Sequence, residues 1–110
     1  MIRSMVCAIA LSVCAAGTAR AQDAKVKGEQ VFTDQKCSLC HSIAGKGNAK
    51  GALDDVGTKD SADDIRQWIV DAKAMTAKTK ATRKPEMKVY TLPKEDVDAL
   101  VVYLSSLKKK

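Results

Sequence analysis

Cys37-Ser38-Leu39-Cys40-His41 decides how this chain is read. Two thiols stand three positions apart, and the only histidine in the sequence follows the second one. On a helical turn, positions i and i+3 share a face. Both sulfurs can then reach the two vinyl groups of one porphyrin, and the next residue can bring its imidazole beneath the metal. The spacing reads as covalent haem attachment through Cys37 and Cys40, with His41 as an axial ligand to the iron. A bare C-x-x-C has other readings: a redox dithiol, a disulfide, or half of a zinc site. Zinc needs two further ligands, and the other cysteines, Cys7 and Cys14, fall in a stretch expected to be removed. A dithiol of the thioredoxin kind needs a βαβ setting, and no strand-like alternation flanks the motif. A lone histidine is more often structural than ligating, but this one directly follows the second cysteine.

The start of the chain has the grammar of an export signal. Arg3 supplies a short positive region, Met5 to Ala16 is apolar apart from Ser12, and Ala19-Arg20-Ala21 is a small-x-small cleavage site. The apolar run is shorter than the roughly 20 residues a bilayer span requires. Residues 1–21 are therefore expected to be a cleaved secretory signal peptide and 22–110 the folded domain, exported to an oxidising, periplasmic compartment. Two rivals are weaker. Lipid anchoring at Cys14 would place the branched Val13 where a small residue is usual, and an uncleaved anchor would need a longer apolar run.

Removing Arg3 and Arg20 with the leader takes the formal charge from +6 to +4. A moderately basic surface suits an acidic protein partner or an anionic membrane surface. Nucleic acid is a poor fit, because the protein is exported and its lysines lack interleaved aromatics on which bases could stack. A domain this short makes a marginal core unaided. With aromatic residues at only 4% of the sequence, a large prosthetic group would supply the apolar surface that phenylalanines usually provide.

From Ala24 to Lys108 the chain resembles a small bacterial class I cytochrome c with one haem. The resemblance implies an all-α fold, the cytochrome c fold, with three to five helices wrapped around one covalently bound haem c. Asp23 to Lys36 reads as the first helix, with Asp23 as its cap and Val26, Val31 and Phe32 as a partial apolar stripe. Gly28 inside it would cost about 1 kcal/mol relative to alanine, which suggests close approach of another backbone. Gly28 and Phe32 match the family pair that crosses the C-terminal helix, where Leu100 and Tyr103 match the packing positions.

Ser42 to Gly57 reads as a loop punctuated by Gly45, Gly47, Asn48 and Gly51. In the family a proline here offers its carbonyl to the second imidazole N–H of the haem histidine. Ala52 occupies that place, so the contact is carried over to the Ala52 carbonyl, while Leu53 and Val56 face the haem or the core. Asp60 to Ala74 reads as a second helix, with Ser61 as N-cap and Ile65, Trp68 and Ile69 facing inward. Trp68 resembles the family tryptophan that bonds a haem carboxylate; a core tryptophan without that bond is the alternative. Thr76 to Lys88 is basic and poor in apolar residues, either a solvated loop or a wrap over the distal side of the haem. Pro93 to Lys108 reads as the last helix, with Val97, Leu100, Val101, Leu104 and Leu107 as its apolar stripe.

Neutral candidates for the second axial ligand are the methionines Met75 and Met87. A thioether favours ferrous iron and raises the potential, as an electron carrier requires. Met87 lies just before the last helix, where the axial methionine of the family sits, although Lys88 replaces the proline that usually follows. Met75 is the alternative ligand, and Lys84 or Lys88 a remote third. The reading that results is a soluble, monomeric electron-transfer protein that shuttles one electron between redox-partner proteins with acidic docking surfaces, and is not an enzyme. Its rivals are a haem subunit of a larger oxidoreductase and a five-coordinate haem protein that binds gases or reduces peroxide.

Overall fold

The computed structural model describes residues 16–109. Most of the apolar leader run, with Cys7 and Cys14, lies outside these residues, as does Lys110. Among the described residues there are five α-helices: α1 (Ala16–Asp34), α2 (Val56–Lys59), α3 (Ala62–Val70), α4 (Ala72–Thr79) and α5 (Lys94–Ser105). Extended structure amounts to one antiparallel pair of two-residue strands, β1 (Ser42–Ile43) and β2 (Lys46–Gly47). The expected all-α architecture holds, with this small hairpin inside the glycine-punctuated loop.

The crossing of α1 and α5 organises the chain. Gly28 is buried on α1, and a Cβ there would collide with the Ala99 carbonyl oxygen and the Tyr103 Cβ of α5. The missing side chain lets the two backbones touch. One turn further along, the rings of Phe32 and Tyr103 meet edge to face, with centroids 6.3 Å apart and planes at 70°. Val31, Val97, Leu100 and Leu104 are buried around this contact with Ile65 and Ile69 of α3. Each such side chain contributes on the order of 1.5–3 kcal/mol by leaving water. The glycine, the aromatic pair and the stripe on α5 are as the sequence led one to expect.

The boundaries differ in three places, each with a local cause. Helix α1 begins upstream of Asp23, which lies inside it instead of capping it, because Ala16, Ala19, Ala21 and Ala24 are strong helix formers. Lys36, in the left-handed region at φ 56°, ends that helical path. The single helix expected over 60–74 is two. Asp71 leaves helical geometry and accepts the Ala74 N–H at 3.4 Å, starting α4, which then runs to Thr79 into the presumed loop. Ser61 caps α3 as expected, accepting the Asp64 N–H at 3.1 Å. Helix α5 stops at Ser105, and the tail folds back: Gly57 N–H donates to the Leu107 carbonyl at 2.9 Å and Lys109 N–H to the Asp55 carboxylate at 2.9 Å. These bonds tie the end of the chain to α2.

Candidate functional site

The Cys37–His41 motif is a single tight turn. Cys37–Leu39 form a 3₁₀ segment, and the N–H groups of Cys40 and His41 both donate to the Cys37 carbonyl, at 3.1 and 2.9 Å. Asn48 clamps the turn from the following loop. Its side-chain amide donates to the Leu39 carbonyl at 3.2 Å, and its backbone N–H lies 3.1 Å from the carbonyls of both Ser38 and His41. In the sequence Asn48 was legible only as a loop residue. Cys37 and Cys40 are free thiols, the first half-buried and the second exposed.

His41 is half-buried, and its Nδ1 lies 3.0 Å from the carbonyl oxygen of Gly51. A carbonyl only accepts, so Nδ1 carries the proton and Nε2 keeps the lone pair that a metal needs. Burial pushes the imidazole below its usual pKa, and the nearby Arg83 charge acts in the same direction, against the Gly51 bond. The neutral, ligating form is thereby favoured. The acceptor is Gly51 and not Ala52. Gly51 closes the short turn Ala49–Gly51, and a Cβ there would collide with the Cys40 carbonyl and crowd His41 Nδ1. Only a residue without a side chain brings its own backbone this near the ring. Ala52, one step on, is exposed and bridges Ser42.

Cys37, Cys40 and His41 open onto a cavity of about 560 Å³. Phe32, Leu53, Val56, Ile65, Ile69, Leu100 and Leu104 give it apolar walls, with Trp68 half-buried among them. That volume lies inside the range of about 300–1,000 Å³ found for small-molecule and cofactor sites. The segment between α4 and α5 closes it with Arg83, Pro85, Glu86, Met87, Lys88 and Tyr90. Met87 is half-buried in this wall. Met75 is buried at 6% exposure in α4 and is not part of the lining. Of the lysines considered as ligands, Lys84 pairs with Glu86 at 2.9 Å, and the Lys88 ammonium sits 4.9 Å from the centre of the Tyr90 ring.

These residues fit a haem. Two thiols on one turn, an imidazole with a free Nε2, a thioether from a separate segment and apolar walls are the groups that would attach, ligate and shield it. Burial raises the Cys37 thiol above its usual pKa, the opposite direction to that of an activated thiolate. Among the described residues no cluster of three or more His, Cys, Asp or Glu could hold a separate metal ion. Besides Asn48, two contributors were missed in the sequence. Arg83 donates to the Cys40 carbonyl at 2.5 Å across 43 positions, yet it read as one charge in a basic run. Tyr90 lines the cavity beside Cys37; an aromatic just after the candidate ligand Met87 was the available signal.

The family described as Cytochrome c matches residues 26–108. Cytochrome c oxidase subunit 2 of Alkalihalophilus pseudofirmus (strain ATCC BAA-2126 / JCM 17055 / OF4) is 30% identical over 91 residues, covering 74% of this chain and 25% of that protein. The chain thus spans a quarter of the length of that relative. No solved structure matches.

Proposed function

The chain belongs to the cytochrome c family, and from that premise we propose that it is a soluble, exported electron carrier working between redox-partner proteins. Its cofactor is covalently bound haem c. In this reading Cys37 and Cys40 would hold the haem, and His41, through Nε2, and Met87, through its sulfur, would ligate the iron. Bound there, the group supplies one-electron exchange between its ferric and ferrous states. The protein's own residues do the rest. Gly51 orients His41, the apolar walls exclude water, and with His41 and Met87 both given to the iron no position would be left for a substrate, so no chemical transformation is expected. The donor protein loses the electron that the acceptor gains, and no bond is made or broken.

One observation carries the reading: Met87 lines the same cavity as Cys37, Cys40 and His41, while Met75 is buried elsewhere. Absorption spectra of oxidised and reduced protein test it. A pyridine haemochrome of the c type and a sulfur–iron charge-transfer band are expected. Tight, fast carbon monoxide binding to the reduced protein at neutral pH would point instead to an open iron site. Export with cleavage after Ala21 goes with this proposal. It is supported by the small-x-small site, and no helix among the described residues is long and apolar enough to cross a membrane. Intact-mass measurement should find a chain beginning at Gln22; retained leader mass or lipid on Cys14 would refute a free form.

The likeness to an oxidase subunit favours a second reading, a haem subunit of a larger oxidoreductase. Co-purification with a catalytic subunit would support it, whereas a carrier elutes alone at the size of a monomer.

A further inference from the structure

Arg83 stands in a segment otherwise read as solvated charge, and its contacts are specific. Its guanidinium donates to the Cys40 carbonyl at 2.5 Å, inside the haem-attachment turn. Nη1 rests against Gly51, and a Cβ at Gly51 would fill the space it occupies. The bare glycine therefore does two things. It places its carbonyl on His41, and it leaves a seat for an arginine arriving from the segment that carries Met87. Arg83 also lines the cavity shared by His41 and Met87. Most cations of that stretch do not: Lys73, Lys78, Lys80 and Lys84 are exposed and outside the lining.

We propose that Arg83 is a positioning residue that seats a permanent positive charge beside His41 and so raises the reduction potential of the haem. The inference rests on the haem reading above. A guanidinium stays protonated at any working pH, so its charge is a fixed part of the site. Ferric iron carries one more positive charge than ferrous iron, and a nearby cation penalises the ferric state more. A charge-assisted bond to Cys40 keeps the group from swinging into solvent. Arg83 is exposed over much of its surface, so solvent screening keeps the effect modest.

The test is spectroelectrochemical titration of the holoprotein at low salt, comparing wild type with Arg83→Gln, Arg83→Lys and Lys78→Gln. Arg83→Gln should move the ferric-to-ferrous ratio about threefold toward ferric at fixed poise, roughly 30 mV at 59 mV per tenfold for one electron. Arg83→Lys keeps the charge and should recover most of the wild-type value. Lys78→Gln removes the same net charge from α4, away from the cavity wall, and should leave the potential near wild type. An unchanged potential in Arg83→Gln overturns the proposal. So does a Lys78→Gln shift of equal size, or a fall in Arg83→Lys as large as in Arg83→Gln. A haemochrome spectrum of each sample separates the two levels: absence of haem c from wild type defeats the site reading itself, whatever the arginine does.

Discussion

The His41 ring and the Gly51 carbonyl are held 3.0 Å apart by a turn in which any side chain at Gly51 would collide with its neighbours. Two opposite outcomes follow for adjacent positions. Gly51→Ala puts a Cβ into the Cys40 carbonyl and the Arg83 guanidinium. Backbone cannot give way cheaply, so a loss of about 1–3 kcal/mol in holoprotein stability is expected. Ala52→Pro should do the reverse. Ala52 already has φ −60° and ψ 129°, and among the described residues its N–H has no acceptor. Restricting the unfolded chain there should add about 0.4–1 kcal/mol. Denaturant midpoints of both variants decide, and a proline that destabilises would show that the turn differs from this geometry.

Gly28 offers a test of the helix crossing independent of the haem ligands. Gly28→Ala would raise helix propensity by about 1 kcal/mol in isolation. Here the new methyl meets the Ala99 carbonyl and Tyr103 Cβ, so α1 and α5 must separate and the Phe32–Tyr103 contact must open. The net effect should be destabilising by on the order of 1–3 kcal/mol. A variant more stable than wild type in urea would mean the helices do not cross at this residue.

What the sequence made legible, and what it hid, divides along the range of the interaction. The attachment motif, the Ser61 cap and the stripe on α5 are local patterns, written in spacing and residue type. Gly28 and Tyr103 were legible because a glycine inside a helix needs a reason and the family supplies a partner. Asp71 caps α4, but the helical spacing of Ile65, Trp68 and Ile69 carried the expected helix straight through it. Arg83 and Asn48 left no such trace. Their roles are hydrogen bonds to backbone carbonyls of the attachment turn, and nothing in an arginine or an asparagine names the carbonyl it will find. The shift of the His41 acceptor from Ala52 to Gly51 is of the same kind, since the residue type at the acceptor is irrelevant to a carbonyl.

The distal ligand is tested by a pair of substitutions. Met87→Ala should remove the sulfur–iron band and lower the potential, since the soft thioether favouring ferrous iron is gone. Met75→Ala should keep the band but cost about 2–5 kcal/mol of stability, because its side chain is buried in α4 away from the cavity. Optical spectra and denaturation curves of the two variants separate ligand from core residue. Loss of the band in Met75→Ala would reverse the assignment.

The expectation of an acidic redox partner turns on the exposed charges near the cavity. Electron carriers must associate and part quickly, and complementary charge raises association rates more than affinity. Lys73, Lys78 and Lys80 are exposed on and just after α4, and the neighbouring Thr76 and Ala81 line the cavity. Among the described residues these three lysines make no ion pair, whereas Lys84 is paired with Glu86. Asp60 also lines the cavity, so the basic and acidic sides are not cleanly separated, and the lysines of α4 are the better candidates for steering. With an acidic redox partner, the bimolecular electron-transfer rate should fall steeply as salt shortens the screening length toward about 8 Å. Lys78→Glu combined with Lys80→Glu should slow the reaction at low salt and flatten its salt dependence. Lys108→Glu, in the tail folded against α2, reverses a charge remote from α4 in sequence and should have a smaller effect. Stopped-flow rates over a salt series distinguish these outcomes, and a rate indifferent to the α4 charges would remove the acidic-partner hypothesis while leaving the haem site as described.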